Sequence, residues 1–163
     1  MSTITVRGTK FNLVGTPVKV GDQINAKVAN LEFQDQEINQ LFTKDLNVIS
    51  IFPSINTSVC DEQTRGISQL AHNNPEINFI ALSLDLPTAL KEWCGTHGVD
   101  NISIFSDYKQ REFSTKYGLL VEGIFLMNRA IIVVDKTGKV LYVKHNTELS
   151  DQIDFTSLED FLK

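Results

Sequence analysis

The run Asn47-Val48-Ile49-Ser50-Ile51-Phe52, closed by Pro53, is mostly apolar and rich in β-branched residues. That is the composition of a strand covered on both faces, as in a parallel sheet. From Ser58 the period changes: Val59, Ile67, Leu70 and Ala71 fall near one face of a helix that runs to about His72. A second buried strand, Ile77 to Leu84, leads through Asp85-Leu86-Pro87 into a helix over 87–96, with Pro87 suited to its first turn. Ile102 to Phe105 predicts a third strand, and Gln110 to Tyr117 a third helix ended by Gly118.

Further downstream, Ala130-Ile131-Ile132-Val133-Val134 joins Lys139-Val140-Leu141-Tyr142-Val143 through Asp135-Lys136-Thr137-Gly138, a short Gly-containing link that argues for a hairpin. Asp154 to Leu162 reads as a closing amphipathic helix. Upstream, residues 3–14 read as a hairpin with its turn at Gly8-Thr9-Lys10, and residues 28–33 and 37–42 alternate imperfectly around Gln34-Asp35-Gln36. Crossover helices imply parallel pairing and the late hairpin an antiparallel part of the same sheet. The expected fold is α/β, a thioredoxin-like mixed β-sheet flanked by helices, with an added N-terminal β-hairpin over residues 1–15. No repeat, low-complexity tract or Pro/Gly-rich linker interrupts the 163 residues, so a single domain over 1–163 is expected.

A net charge of −5, with no Lys/Arg cluster, argues against nucleic acid as a partner, because such partners usually need a basic face. The N-terminus shows no basic stretch followed by an apolar one, and no run approaches the roughly 20 apolar residues of a membrane-spanning helix. A cytoplasmic protein is the expectation, and the sequon Asn56-Thr57-Ser58 is then inert.

There are two cysteines, Cys60 and Cys94. In a reducing compartment such a pair is more often catalytic, metal-binding or inert than a permanent staple. Cys60 lies where the chain leaves a buried strand and enters a helix. Unpaired N–H groups and the helix dipole there favour an anion, and the thiolate is cysteine's nucleophilic form. Thr57 or Ser58 can cap that helix. Asp61 and Glu62 push against a thiolate. Two readings of Cys60 stay open at this level: a nucleophile, or a small buried apolar residue.

A cationic partner would separate them. Arg129 interrupts an otherwise nearly uncharged stretch, Ile124 to Val134. Buried, it should face an anion; at the start of a strand, its head could equally reach solvent. Arg65, on the Cys60 helix, is a second cation, although five residues on it is not a same-face neighbour.

The segment Pro53-Ser54-Ile55-Asn56-Thr57-Ser58-Val59-Cys60 resembles the Pro-x-x-x-Thr-x-x-Cys signature of peroxiredoxins. Gln63-Thr64-Arg65, Asp85-Leu86-Pro87, Trp93-Cys94-Gly95 with Gly98, and Arg129-Ala130 look, in order, like the bacterial thiol peroxidase subfamily. The sequence departs from that pattern at Asn56, where Asp is usual, and at Thr96-His97, where a small residue and Glu are usual.

The resemblance implies a peroxidase reducing hydroperoxides, alkyl hydroperoxides ahead of hydrogen peroxide. In it Cys60 would be the peroxidatic nucleophile, Thr57 and Arg129 its supporting residues, Pro53 a shield against water and Cys94 the resolving cysteine. It also implies thioredoxin as reductant, a homodimer and no cofactor. Cys94 lies near the far end of the next helix, and eight helical residues span about 12 Å, whereas a disulfide needs Cα atoms roughly 4.4–6.8 Å apart. Local unwinding around both cysteines is therefore expected, eased by Gly95 and Gly98.

Two other readings compete. Cys94-Gly95-Thr96-His97 has a Cys-x-x-His spacing that a metal could use with Cys60 and His72 or His145, although nothing in the sequence groups these four. A thioredoxin-like binding or chaperone module would keep the fold without needing Pro53, Thr57, Cys60 and Arg129 together. A disulfide reductase would need a Cys-x-x-Cys that the chain lacks.

Overall fold

The computed structural model describes residues 2–163. Its strands are β1 (Thr3–Val6), β2 (Thr9–Val14), β3 (Lys27–Ala29), β4 (Asp35–Glu37), β5 (Asn47–Ile51), β6 (Asn78–Ser83), β7 (Ser103–Ser106), β8 (Leu120–Val121), β9 (Leu126–Met127), β10 (Ala130–Val134) and β11 (Val140–His145). The α-helices are α1 (Ser58–Asn73), α2 (Pro87–His97), α3 (Glu112–Lys116) and α4 (Phe155–Leu162).

A seven-stranded sheet has the order β11-β10-β5-β6-β7-β3-β4. The pairs β5–β6 and β6–β7 are parallel, and β10 joins β5 antiparallel, as does β11 with β10. The mixed sheet flanked by helices is therefore as the periodicities predict. β5 and β10 are buried along their whole length, which is why β10 reads as an unbroken apolar run and β5 as a mostly apolar one.

Alternation sorts those residues into two layers. Ile49, Ile51, Ile80, Leu82, Ile132 and Val134 face one side and pack with Ile24, Phe113 and Tyr117. Val48, Phe79, Ile131 and Val133 face the other, against Ile67 and Leu70 of α1 and Leu158 of α4. Farther along that second face Ala81 and Ile104 meet Phe52, Cys60, Leu90 and Trp93. The two cysteine-bearing helices thus share one end of the sheet.

Three details differ from the sequence reading. The first hairpin turns at Arg7-Gly8, with φ of 50° and 84°; a two-residue turn with both φ positive matches the twist of paired strands, so β2 begins at Thr9. The second reversal comes earlier than Gln34-Asp35-Gln36, because Asn30 Oδ1 accepts the Glu32 and Gln34 amides and closes the loop. Ile38–Leu41 is accordingly a 3₁₀ turn rather than strand. Lastly, α3 starts at Glu112, since Arg111 has a left-handed φ of 53°.

Two short strands had no signal at all. β8 and β9 extend the N-terminal hairpin into a four-stranded sheet of order β1-β2-β8-β9. Two residues each are too few to show a period. Gly118 makes the approach possible: at φ 70° it ends α3, and a Cβ there would lie 2.6 Å from the Pro17 nitrogen. Asp107, 1% exposed, caps α3 by accepting the Phe113 and Ser114 amides, and burial pushes its carboxyl up to about 6. Among the described residues, no helix is long and apolar enough to cross a membrane.

Candidate active site

β5 ends at Ile51, and the chain turns outward through Phe52 and Pro53 before α1 begins. The turn is held by the end of the neighbouring strand. Asp85, just past β6, accepts the Ser54 hydroxyl (2.9 Å) and the Ile55 amide (2.8 Å), and its Oδ2 also takes the Ser83 hydroxyl (2.7 Å). Thr57 then caps α1: its Oγ1 accepts the Cys60 amide at 3.4 Å and donates to the Ser54 carbonyl at 3.1 Å. Cys60 consequently stands in the first turn, on the face turned to the sheet, fully buried.

Arg129 is the residue that meets it. It precedes β10, is 2% exposed, and its Nη1 donates to Cys60 Sγ at 3.2 Å. The two lie 69 positions apart in sequence. The same Nη1 donates to Gln63 Oε1 at 2.9 Å, while Nε and Nη2 both donate to the Leu149 carbonyl at 3.1 Å. Gln63 is itself fixed, because its Nε2 donates to Ser50 Oγ (2.8 Å) and the Ile51 carbonyl (3.1 Å).

A buried guanidinium is costly unless an anion and well-placed acceptors face it. Among the described residues Arg129 has no carboxylate within 4.0 Å. The ionisable group it does face is the Cys60 thiol, and a charged donor binds a charged sulfur more strongly than a neutral one. Guanidinium carries five N–H groups, and these four contacts leave one uncommitted. Arg129 lines a cavity of about 390 Å³ whose wall includes Val6, Pro53, Thr57, Val59, Leu126 and Leu149.

Pro53, Thr57, Cys60 and Arg129 are therefore together. Pro53 is buried in the wall. Thr57 makes no hydrogen bond to the sulfur; its hydroxyl is engaged by Ser54 and the Cys60 amide. Arg65 is not part of the group. It pairs with Asp61 (2.9 Å), as side chains four apart on a helix do, and faces outward. Cys94, on α2, packs against the same apolar cluster as Cys60, is half-buried, and carries a free thiol whose burial pushes its pKa up. Among the described residues no three His, Cys, Asp or Glu side chains are grouped to hold a metal ion.

The sequence reading did not assign Gln63 or the Leu149 carbonyl to the site. Gln63 left a trace: three residues after Cys60, it is a polar residue on the buried face of the helix. A backbone carbonyl leaves none.

Fold and site together define a class, the peroxiredoxin-type peroxidases, oxidoreductases on a thioredoxin-like sheet. The chain belongs to the AhpC/TSA family, whose pattern matches residues 20–143. It is similar to the thiol peroxidase of Oceanobacillus iheyensis, 35% identical over 159 residues that cover 97% of this chain and 96% of the relative. The thiol peroxidase of Bacillus subtilis is 33% identical over 156 residues, 95% of this chain and 93% of its own. Among solved structures, a peroxiredoxin-like protein from Aquifex aeolicus superposes with a TM-score of 0.89 at 29% identity, covering 99% of this chain and 96% of that one. The resemblance read from the motifs thus extends over nearly the whole length.

Proposed function

We propose that the chain is a single-unit, thiol-dependent peroxidase in which Cys60 reduces hydroperoxides, alkyl hydroperoxides ahead of hydrogen peroxide. The observation that carries this is the 3.2 Å contact between a buried guanidinium and a buried sulfur at a helix N-terminus. The Cys60 thiolate attacks one peroxide oxygen, the O–O bond breaks, and the other oxygen leaves as alcohol after taking a proton. Arg129 stabilises the charge spread over sulfur and oxygens, its uncommitted N–H being available to the peroxide. Thr57 moves its hydroxyl from the Ser54 carbonyl to the incoming oxygen, holding the reactive geometry, and Pro53 limits water. The mainly apolar wall of the cavity supports an organic substituent on the peroxide.

The resulting sulfenic acid condenses with Cys94: the Cys94 sulfur displaces hydroxide, which leaves as water, and an intramolecular disulfide closes. A dithiol of thioredoxin type then reopens it, with no cofactor in the chain. We place this cycle in the cytoplasm and in a homodimer.

NADPH oxidation coupled through thioredoxin and its reductase tests the reading, with cumene hydroperoxide and hydrogen peroxide compared. Wild type should turn over both, the first with the higher kcat/KM, and Cys60→Ser neither. A Cys60→Ser protein as active as wild type would end the proposal.

A further inference from the structure

The side chain next to Cys60 ties its helix to the helix that carries Cys94. Asp61 Oδ1 accepts the Trp93 indole N–H at 3.0 Å, and among the described residues this is the one hydrogen bond joining α1 to α2. His97 closes over it. Its ring stacks on Trp93 with centroids 4.3 Å apart and planes at 21°, its Nδ1 lies 2.9 Å from the Trp93 carbonyl, and its Nε2 lies 3.5 Å from Asp61 Oδ1. Arg65 holds the second carboxylate oxygen at 2.9 Å. The bond spans the edge of a cleft of about 350 Å³ between the first turn of α1 and the end of α2. Trp93 is buried against Phe52 and Leu90, so the tie is anchored in the core on the α2 side.

Past Trp93, α2 has four residues left, Cys94 to His97. A Cβ at Gly95 would meet nothing within 4 Å, and Gly98 ends the helix at φ 64°. Cys94 lies between the Trp93 anchor and the two glycines at the helix end.

We propose that Asp61, acting through Trp93 and the stacked His97, is a positioning residue that latches α2 shut and sets the rate at which Cys94 is released to Cys60. The proposal rests on the Cys60–Cys94 disulfide step above. While the latch is closed Cys94 stays half-buried, and burial holds its thiol above the usual range, so the nucleophile is both out of place and protonated. Opening it lets α2 unwind, exposes the thiol and permits the S–S bond to form as the sulfenic S–O bond breaks and water leaves. The latch therefore keeps the Cys60 pocket intact for peroxide at the expense of slower closure.

Rapid mixing of reduced protein with one equivalent of cumene hydroperoxide, followed by acid quench, thiol blocking and mass analysis, separates loss of the Cys60 thiol from disulfide closure. Trp93→Phe removes the donor and keeps the aromatic packing; Asp61→Ala removes the acceptor; Asp61→Asn keeps a side-chain oxygen for Trp93 while removing the charge. Closure should be about tenfold faster in Trp93→Phe and Asp61→Ala, equivalent to about 1.4 kcal/mol. Asp61→Asn should close at the wild-type rate. Because Asp61→Asn and Asp61→Ala both lack the charge beside Cys60, any change in the peroxide step should be common to both. Equal closure in all four proteins, or closure in Asp61→Asn as fast as in Asp61→Ala, overturns the latch while leaving the peroxidase cycle standing. A wild-type protein that loses the Cys60 thiol yet forms no disulfide with Cys94 overturns the cycle itself, and the latch with it.

Discussion

Cys60 and Cys94 lie at opposite ends of adjacent helices, and their surroundings differ in almost every respect. Cys60 sits in the first turn of α1, fully buried, beneath a threonine cap and against Arg129. Cys94 sits toward the end of α2, half-buried, with its thiol pushed up by burial and two glycines, Gly95 and Gly98, behind it. One sulfur meets a buried guanidinium; the other has no hydrogen-bond partner among the described residues. The contrast shows how one apolar cluster can hold two thiols in unlike surroundings: the difference comes from the groups at the polar edge of the cluster.

The largest effect should come from exchanging the two sulfurs for hydroxyls. Cys60→Ser is expected to consume no peroxide even in a single turnover, whereas Cys94→Ser should consume one equivalent and then fail to cycle with thioredoxin. Stoichiometric peroxide consumption followed by mass analysis checks this, and equal behaviour of the two variants would erase the distinction between the sites. Next comes the cation. Arg129→Met leaves the Leu149 carbonyl and Gln63 Oε1 without their donor, and the rate constant of the peroxide step should fall about 10²–10³-fold, as for removal of a preorganised charge-stabilising donor. Stopped-flow kinetics of that step measures it, and a loss under threefold would make the guanidinium contact incidental.

Gln63→Leu should act more mildly. Arg129 keeps its two bonds to Leu149 but loses the acceptor that orients Nη1, so a fall of about tenfold in the same step is expected. Closure of the disulfide once Cys60 is oxidised should stay within about twofold, because among the described residues no Gln63 hydrogen bond reaches α2.

The smallest effect on turnover should come from Asp107, which touches neither cysteine and serves as the reference. Its folded pKa of about 6 lies above the ordinary 3.8. Between those values the folded protein holds a proton that the unfolded chain has released, so this group's contribution is complete below about pH 4 and is lost as pH rises through about 6. Urea unfolding between pH 4 and 7 should show that loss in wild type and a flatter profile in Asp107→Asn. Matching profiles would mean the carboxyl is not titrating as burial dictates.

The distinction between local and distant determinants also explains what could be read in advance. The strand at Asn47–Phe52, the helix from Ser58, the Pro87 start and the late hairpin were all legible, because each depends on residues close together in the chain. So was the placement of Cys60 in the first turn of a helix capped by Thr57 or Ser58, of which the structure uses Thr57. The reversal at Asn30 was misplaced, since it depends on one side chain accepting two amides rather than on a period. The strands β8 and β9 were invisible, because two residues acquire strand geometry only from the hairpin they join.

The order of the central strands and helices and the places of both sulfurs along them were written in the chain itself, through periodicity, capping and residue type, while the class of chemistry was carried by the resemblance of its motifs to peroxiredoxins. Whether Arg129 pointed inward or outward was not so written, because its partners come from two segments far from it in the chain or across a loop: Cys60 and Gln63 on α1, and the Leu149 carbonyl in the loop before α4. Only folding brings those acceptors to one point. A guanidinium will leave water only for a place where they are already assembled.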